Sequence, residues 1–411
     1  MTGRAALAGL LVVIILVAGS AAWLTVGPGS APPSGGCAPA PATTPGAPPN
    51  LTDPPLVAWS ASELPDDLDD EREQTMQDVA AFDGGFVAVG RTGSSDITAF
   101  ILHSTDGRRW EQAPGNPARF GGVELRSLVV VGDRVFAIGS ASTDDRGGTR
   151  VAVWASEDGL TWVEAVGPLD DAYAAALAGT QDRVLMLGAD AAANRAMAWS
   201  SVDGMTWAEL PVSLPVTASA ARFASLAATD DGWLAIGSIS TDPDAPADPV
   251  LWRSSDGVQW TCQLLHDGGF SRAHPSALYG SGDRWLVVGI AGHTCGFGAS
   301  CVGYPIAWAS PDGIGWSDAI VDVEPIRLLG GNAYDGAANG FVGVHGGTWW
   351  SPDGETWTRV SDGETSGAIG GGVEAIAAKD DGRLVQVGTA YDGSSNGSPW
   401  IAVGELRFGA E

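Results

Sequence analysis

Lysine is almost absent from this chain. Lys379 is the only one in 411 residues, beside twenty arginines, and the formal net charge is −28. A surface this acidic repels phosphate backbones, which excludes nucleic acid as a partner and argues against docking on anionic lipid. It keeps the protein soluble. Cysteine is also scarce: Cys37, Cys262, Cys295 and Cys301. Cys295 and Cys301 share one short loop, so in a domain outside the cytoplasm a local Cys295–Cys301 disulfide is the first expectation. Free thiols, or a bridge from either cysteine to Cys262, are the alternatives. A metal site built from His293 and the two sulfurs lacks a fourth ligand, so no metal or cofactor is expected. No segment of the folded part carries the periodicity of an amphipathic helix.

What is present falls into three parts. Residues 1–26 hold an uncharged apolar run from Ala5 to Val26, preceded by Arg4, with no further Lys or Arg until Arg72. The run is long enough to span a bilayer, and the charge asymmetry places the following chain outside the cytoplasm. Ser20-Ala21-Ala22 resembles a signal-peptidase site, so the expectation is a single-pass anchor or, alternatively, a secreted protein after signal cleavage. Residues 27–54 form a Pro/Ala/Gly-rich spacer too poor in apolar surface to order itself. Residues 55–411 are repetitive.

The repeat has two signatures. One is a turn followed by an apolar run that usually ends in Gly. It begins at residues 84, 133, 182, 231, 283, 339 and 382. The other is Ser-x-Asp-Gly-x-x-Trp, at Ser104–Trp110, Ser156–Trp162, Ser201–Trp207, Ser254–Trp260, Ser310–Trp316 and Ser351–Trp357. Strand-like segments at this period predict an all-β, seven-bladed β-propeller of four-stranded blades, lettered a to d from the centre outwards. In the second blade strand a lies near Leu125–Val131, b at Arg134–Ser140, c at Val151–Ser156, and d starts at Thr161-Trp162. Six hairpins for seven units leave one strand d missing. Leu56–Pro65 resembles strand d, so Trp59 is expected to complete the last blade and close the ring, which removes exposed sheet edges.

The hairpin residues read as scaffold. Gly takes φ > 0 in a tight turn, and Ser and the aspartates Asp106, Asp158, Asp203, Asp256, Asp312 and Asp353 accept bonds from turn amides. A second tryptophan lies two residues before the serine in five blades (Trp154, Trp199, Trp252, Trp308 and Trp349), and Trp400 is expected at the matching end of the seventh. The periodicity accounts for most tryptophans without invoking carbohydrate.

These hairpins resemble the Asp-box, or bacterial neuraminidase repeat, of sialidases and many other β-propellers, with one residue fewer between Asp and Trp. The resemblance implies a propeller whose boxes lie on the c–d turns, away from any catalytic face. A sialidase-like activity would need an arginine triad, a Tyr–Glu nucleophile pair and an acidic acid/base. The family's Arg-Ile-Pro motif is missing, Arg126, Arg222, Arg272 and Arg327 have no telling spacing, and none of the five tyrosines is flanked informatively. Propellers of this kind also include assembly factors and binding platforms.

Ligand contact is therefore expected where strand a meets the channel mouth, at Glu124, Arg126, Tyr173, Arg222, His274 and Glu374, with Thr75 or Gln77 in the first blade. Acidic runs such as Asp144-Asp145 and 242–248 match no Ca²⁺ loop signature. The sequence points to a monomeric, membrane-tethered binding or scaffold module for an extracytoplasmic protein or glycan. The alternative is a sialidase-like exo-glycoside hydrolase.

Overall fold

The computed structural model describes residues 37–38, 55–66, 68, 73–93, 96–114, 120–143, 148–180, 182–192, 195–217, 221–240, 247–265, 273–294, 302–317, 334–337, 340–344, 347–361, 371–391 and 397–408. They form seven antiparallel sheets, six of four strands and one, in blade 5, of three. The chain is a seven-bladed β-propeller. Innermost strands are Gln74–Phe82, Val123–Val131, Ala172–Gly179, Ala221–Thr229, His274–Ser281, Tyr334–Ala337 and Gly371–Ala378. Each neighbours the next, and the last neighbours the first, so the ring is closed. Among the described residues no helix is long and apolar enough to cross a membrane; residues 5–26 lie outside them.

Closure uses the N-terminal strand. Leu56–Ala61 pairs with Gly397–Arg407 as the outermost strand of blade 7. Trp59 stands opposite Gly404. In blade 2 the pairs Trp154–Glu164 and Ala155–Val163 set Trp162 opposite the hairpin serine Ser156. Trp59 thus occupies the strand-d tryptophan position, as its sequence context predicts. Trp400 does not sit where the sequence suggests. It pairs with Gly388, whereas the residue opposite the equivalent Gly139 in blade 2 is Ala152, so Trp400 lies two residues nearer the start of strand c and Ala402 takes the Trp154 position. The last strand has no hairpin to make, so its serine position is simply passed through.

The core is distributed over the seams between blades. Seven clusters of buried side chains each join two neighbouring blades; five contain a buried strand-d tryptophan, and half-buried Trp357 and Trp59 pack against the other two. Trp110 joins blade 1 to blade 7, and Trp162 and Trp207 fill the next two seams. Trp260, Trp316, Trp357 and Trp59 fill the rest in order. Burying a ring of this size contributes about 1.5–3 kcal/mol. Aromatic neighbours tilt against these rings, as Phe223 does against Trp252 and Trp260 at 5.5 and 5.8 Å.

The Ser-x-Asp-Gly-x-x-Trp hairpins hold those tryptophans. In all six, the aspartate Oδ1 accepts the serine hydroxyl and two amides; in blade 3 Asp203 takes Ser201 at 2.8 Å and the Met205 and Thr206 amides at 2.8 Å each. The glycine has φ between +68° and +81°, which favours glycine. Its carbonyl accepts the indole N–H, as Gly204 does from Trp207 at 3.1 Å. A Cβ on Gly204 would meet Phe136 of the preceding blade at 2.4 Å. The hairpin is therefore a wedge between blades.

The scarce cations serve the same seams. Arg134 and Arg183, each at or just before the start of strand b, donate to the carbonyls of Asp203 and Asp256 in the next blade's hairpin at 2.6 and 2.7 Å. Arg284 donates to Pro352 in the same way. Lys379 of blade 7 donates to the Phe82 carbonyl of blade 1 at 2.8 Å.

Cys262 corrects one expectation. It is bonded to Cys37, 225 residues away, and not to Cys295 or Cys301. Ala38 extends the attachment: its N–H donates to the Cys262 carbonyl at 3.0 Å and its carbonyl accepts the Leu264 N–H at 2.8 Å. The spacer segment is thus fixed at this point to the outer strand of blade 4. Half-buried Cys37 packs against the apolar cluster that holds Cys262 and Trp260. The proposed Cys295–Cys301 bridge and the His293 alternative fall on side chains outside the described residues.

Candidate functional site

One irregularity builds the channel mouth. In blades 1, 2, 3, 4, 5 and 7 the a–b pairing slips by one residue at the same place, leaving Gln77, Arg126, Ala175, Ala224, Ser276 and Glu374 as bulged residues. Bulges bend a strand and re-aim side chains. Two residues earlier the carbonyl of strand a presses on the glycine that ends the apolar run of strand b. A Cβ on Gly139 would lie 1.8 Å from the Glu124 oxygen, and one on Gly237 would lie 1.8 Å from that of Arg222. Gly188 and Gly289 stand to Tyr173 and His274 in the same relation, at 2.0 and 2.4 Å. This close approach is the physical reason for the repeated terminal glycine.

The structure places the six mouth residues on two rings defined by that bulge. Glu124, Tyr173, Arg222 and His274 occupy the position two residues before it, with Thr75 in blade 1. Arg126 and Glu374 are bulged residues, as is Gln77. Arg126 is exposed and ion-pairs with Glu124 at 2.6 Å. Tyr173 is 48% exposed, unusual for so large an apolar ring. His274 is exposed, and Arg222, half-buried, donates to the Ala221 carbonyl at 2.9 Å. Burial pushes the Glu374 carboxyl above its ordinary value. Arg126 and Tyr173 line the central channel itself, a space of about 1040 Å³. Arg272 and Arg327, needed for an arginine triad, lie outside the described residues, as do the 144–145 run and 241–246. Among the described residues no three His, Cys, Asp or Glu side chains group as metal ligands.

Deeper in the channel are groups that the sequence does not advertise. Asp78, in the innermost strand of blade 1, accepts the amide of Val79 and that of Leu128 in blade 2, both at 2.8 Å. Asp335 of blade 6 does the same with Gly336 and with Ala378 of blade 7, both at 2.8 Å. Each carboxyl clasps two blades. Desolvation outweighs these hydrogen bonds, pushing Asp78 up to about 6 and Asp335 up to about 7, the latter also through the charge of Asp78. Tyr279 of blade 5 lines the same channel; burial first, then the charges of both carboxyls, drive its phenol well above the ordinary range. Tyr334 packs on it with ring centroids 5.8 Å apart. Asp78 was legible as the one acid among Ala and Ser at equivalent positions of strand a. Asp335 was hidden because Asp335-Gly336 imitates a turn.

No protein-family model matches the sequence, and no curated protein matches it. Among solved structures, the chain is similar to YCF48 bound to D1 peptide, with TM-score 0.50, 14% identity, and 87% of this chain and 100% of that one covered. It is also similar to the α-L-arabinofuranosidase Arb93A of Fusarium graminearum, with TM-score 0.46, 14% identity and coverage of 85% and 97%. A third is the β-propeller domain of the Trilobed protease of Pyrococcus furiosus, with TM-score 0.47, 11% identity and coverage of 79% and 97%. At such identities the likeness is one of fold alone.

Proposed function

We propose that this protein is a membrane-tethered, extracytoplasmic propeller that binds a protein or glycan at its channel mouth without transforming it. The observation that carries this reading is the mouth itself: exposed Tyr173, the Glu124–Arg126 pair and exposed His274 rise from a rigid bulged ring and do not repeat from blade to blade. Aromatic and arginine side chains on a preorganised surface are the usual anchors of recognition. The hairpins' likeness to the Asp-box fits, because their residues are consumed by scaffold. YCF48, of similar fold, is seen bound to a peptide. The apolar run at 5–26 and the Cys37–Cys262 bond, a feature of oxidising compartments, support location outside the cytoplasm. Crosslinking on native membranes tests the proposal. A partner captured by the wild-type chain and lost with Glu124→Ala/Arg126→Ala is the expected result; capture unchanged by that double substitution overturns it.

The second reading is a sialidase-like exo-glycoside hydrolase. It draws on one observation, an acid in the channel whose carboxyl titrates near neutrality, as a general acid should. Against it, the channel carboxyls are committed to backbone amides, and Tyr279 is driven away from the phenolate that a nucleophile requires. Release of fluorophore from a sialoside, abolished by Asp335→Asn, would establish this reading. An unaltered background rate would remove it.

A further inference from the structure

The channel wall is made mostly of small residues. Among the residues that line it, the innermost strands contribute Ala80, Ser127, Ala176, Ser225, Ala227 and Ala277. Seven strands could close on one another with larger side chains; here they leave about 1040 Å³. Into this space blades 1, 5 and 6 place Asp78, Tyr279 and Asp335.

Each carboxyl oxygen accepts one backbone amide, and Asp78 also accepts the Ser127 hydroxyl; a carboxylate has about four acceptor sites, so both keep capacity to spare. Neither carboxyl has a cationic partner among the described residues. Arg126, at the mouth, is paired with Glu124. Lys379 donates to Phe82 and lies over the Phe86 ring at 5.7 Å. Beside Tyr279, the Tyr334 side chain is 2% exposed, lines the same channel, and has a hydroxyl without a hydrogen-bond partner among the described residues. Two acids without a counter-ion, an aromatic face and an unsatisfied hydroxyl form an incomplete set, and an ammonium group completes it: it offers three donors, one positive charge and affinity for an aromatic face.

We propose that the channel receives an alkylammonium group, the lysine side chain of a partner or a free amine, with its nitrogen between Asp78 and Asp335 against Tyr279 and its alkyl stem along the alanine wall. This deepens the binding reading, on which it rests, by giving the bound partner a cationic tip. The acidic surface draws such a tip toward the protein. The chain itself supplies almost none of this chemistry, with one lysine already engaged.

Titration calorimetry with three probes tests it: cadaverine, a capped tetrapeptide with one lysine, and the same peptide with norleucine. The lysine peptide, cadaverine or both should bind at pH 7.5 and the norleucine peptide should not. Because both carboxyls must ionise to receive the cation, binding should release protons into buffer near pH 6 and weaken more than tenfold at pH 5. Asp335→Asn should abolish it, Tyr279→Phe weaken it severalfold, and Glu157→Gln on the opposite face leave it unchanged. Ala80→Leu, which fills the lumen and leaves both clasps intact, should also abolish binding and keeps the test valid where Asp335→Asn fails to fold. Equal binding by all variants, or by norleucine, would mean surface attraction only and overturn the proposal, as would no binding at all. Absence of probe binding alongside partner capture that still depends on Glu124 and Arg126 removes the channel site and leaves the mouth. Probe binding without such capture does the reverse.

Discussion

Two kinds of aspartate in this protein titrate in opposite directions. The amides of Thr206 and Met205 and the Ser201 hydroxyl hold Asp203 down at about 2. A depressed carboxyl contributes stability that is present above its unfolded value near 4 and is lost as pH falls through the folded value. Asp203→Ala should therefore lower the stability at pH 7 by about 1 kcal/mol, in the manner of other side-chain caps, and the difference from wild type should vanish toward pH 2. Asp78 and Asp335 behave inversely. Their folded values, about 6 and about 7, lie above the unfolded one, so stability is full below pH 4 and falls as pH rises to 7. Asp78→Asn should remove the part of that decline that belongs to Asp78, about 3 kcal/mol at most. A melting profile from pH 2 to 8 separates the two classes; a wild-type profile that rises steadily from pH 4 to 7 would contradict the assignment for the buried pair.

At the scale of the element, the strands owe their places to two contacts. One is the seam tryptophan. Trp162→Ala, in a fully buried seam, should cost about 3–5 kcal/mol, and Trp59→Ala, half-buried in its own seam, should cost less. Removal of residues 55–62 should produce a chain that melts at much lower temperature, and an unmoved transition would refute ring closure by this strand. The other contact is the strand-b glycine. Gly139→Ala puts a methyl group 1.8 Å from the Glu124 carbonyl, where only backbone movement relieves it, so it should both destabilise the fold by about 1–3 kcal/mol and weaken partner capture through displacement of Glu124. Much of this level was legible from sequence. Turn glycines, apolar runs and hairpin aspartates repeat because the same local physics repeats, so blade count, strand order and the role of Trp59 could be read. Trp400 could not, since its position depends on a pairing register that no turn enforces. The mouth residues were placed by alignment of strand a, which the bulge preserves. The channel acids escaped because burial and cross-blade amides, invisible along the chain, define them.

At the scale of the whole molecule the Cys37–Cys262 bond joins two distant parts of the sequence. Sequence alone left Cys37 in a spacer, since nothing local marks its partner. In the folded chain the bond closes a short ring, because Cys37 is only twenty residues from Val57 of the closing strand; in the unfolded chain it closes one of 225 residues. The difference in loop-closure entropy is about 2 kcal/mol. Cys37→Ser should lower stability by that amount in urea titration under oxidising conditions, with no change once wild type is reduced. The bond has a mechanical consequence too. The first strand of the fold is also the strand that shuts the ring, so a pull on the N-terminus of a reduced chain would peel Leu56–Ala61 from its neighbour one hydrogen bond at a time, the weakest way to load a sheet. With the disulfide in place, the same pull is borne at Cys262 and the Ala38 pairing on blade 4, and the closing strand carries no load. Stretched from its N-terminus in an optical trap, the oxidised protein should yield at higher force than the reduced one, and the latch of the ring would be the last part to feel the strain.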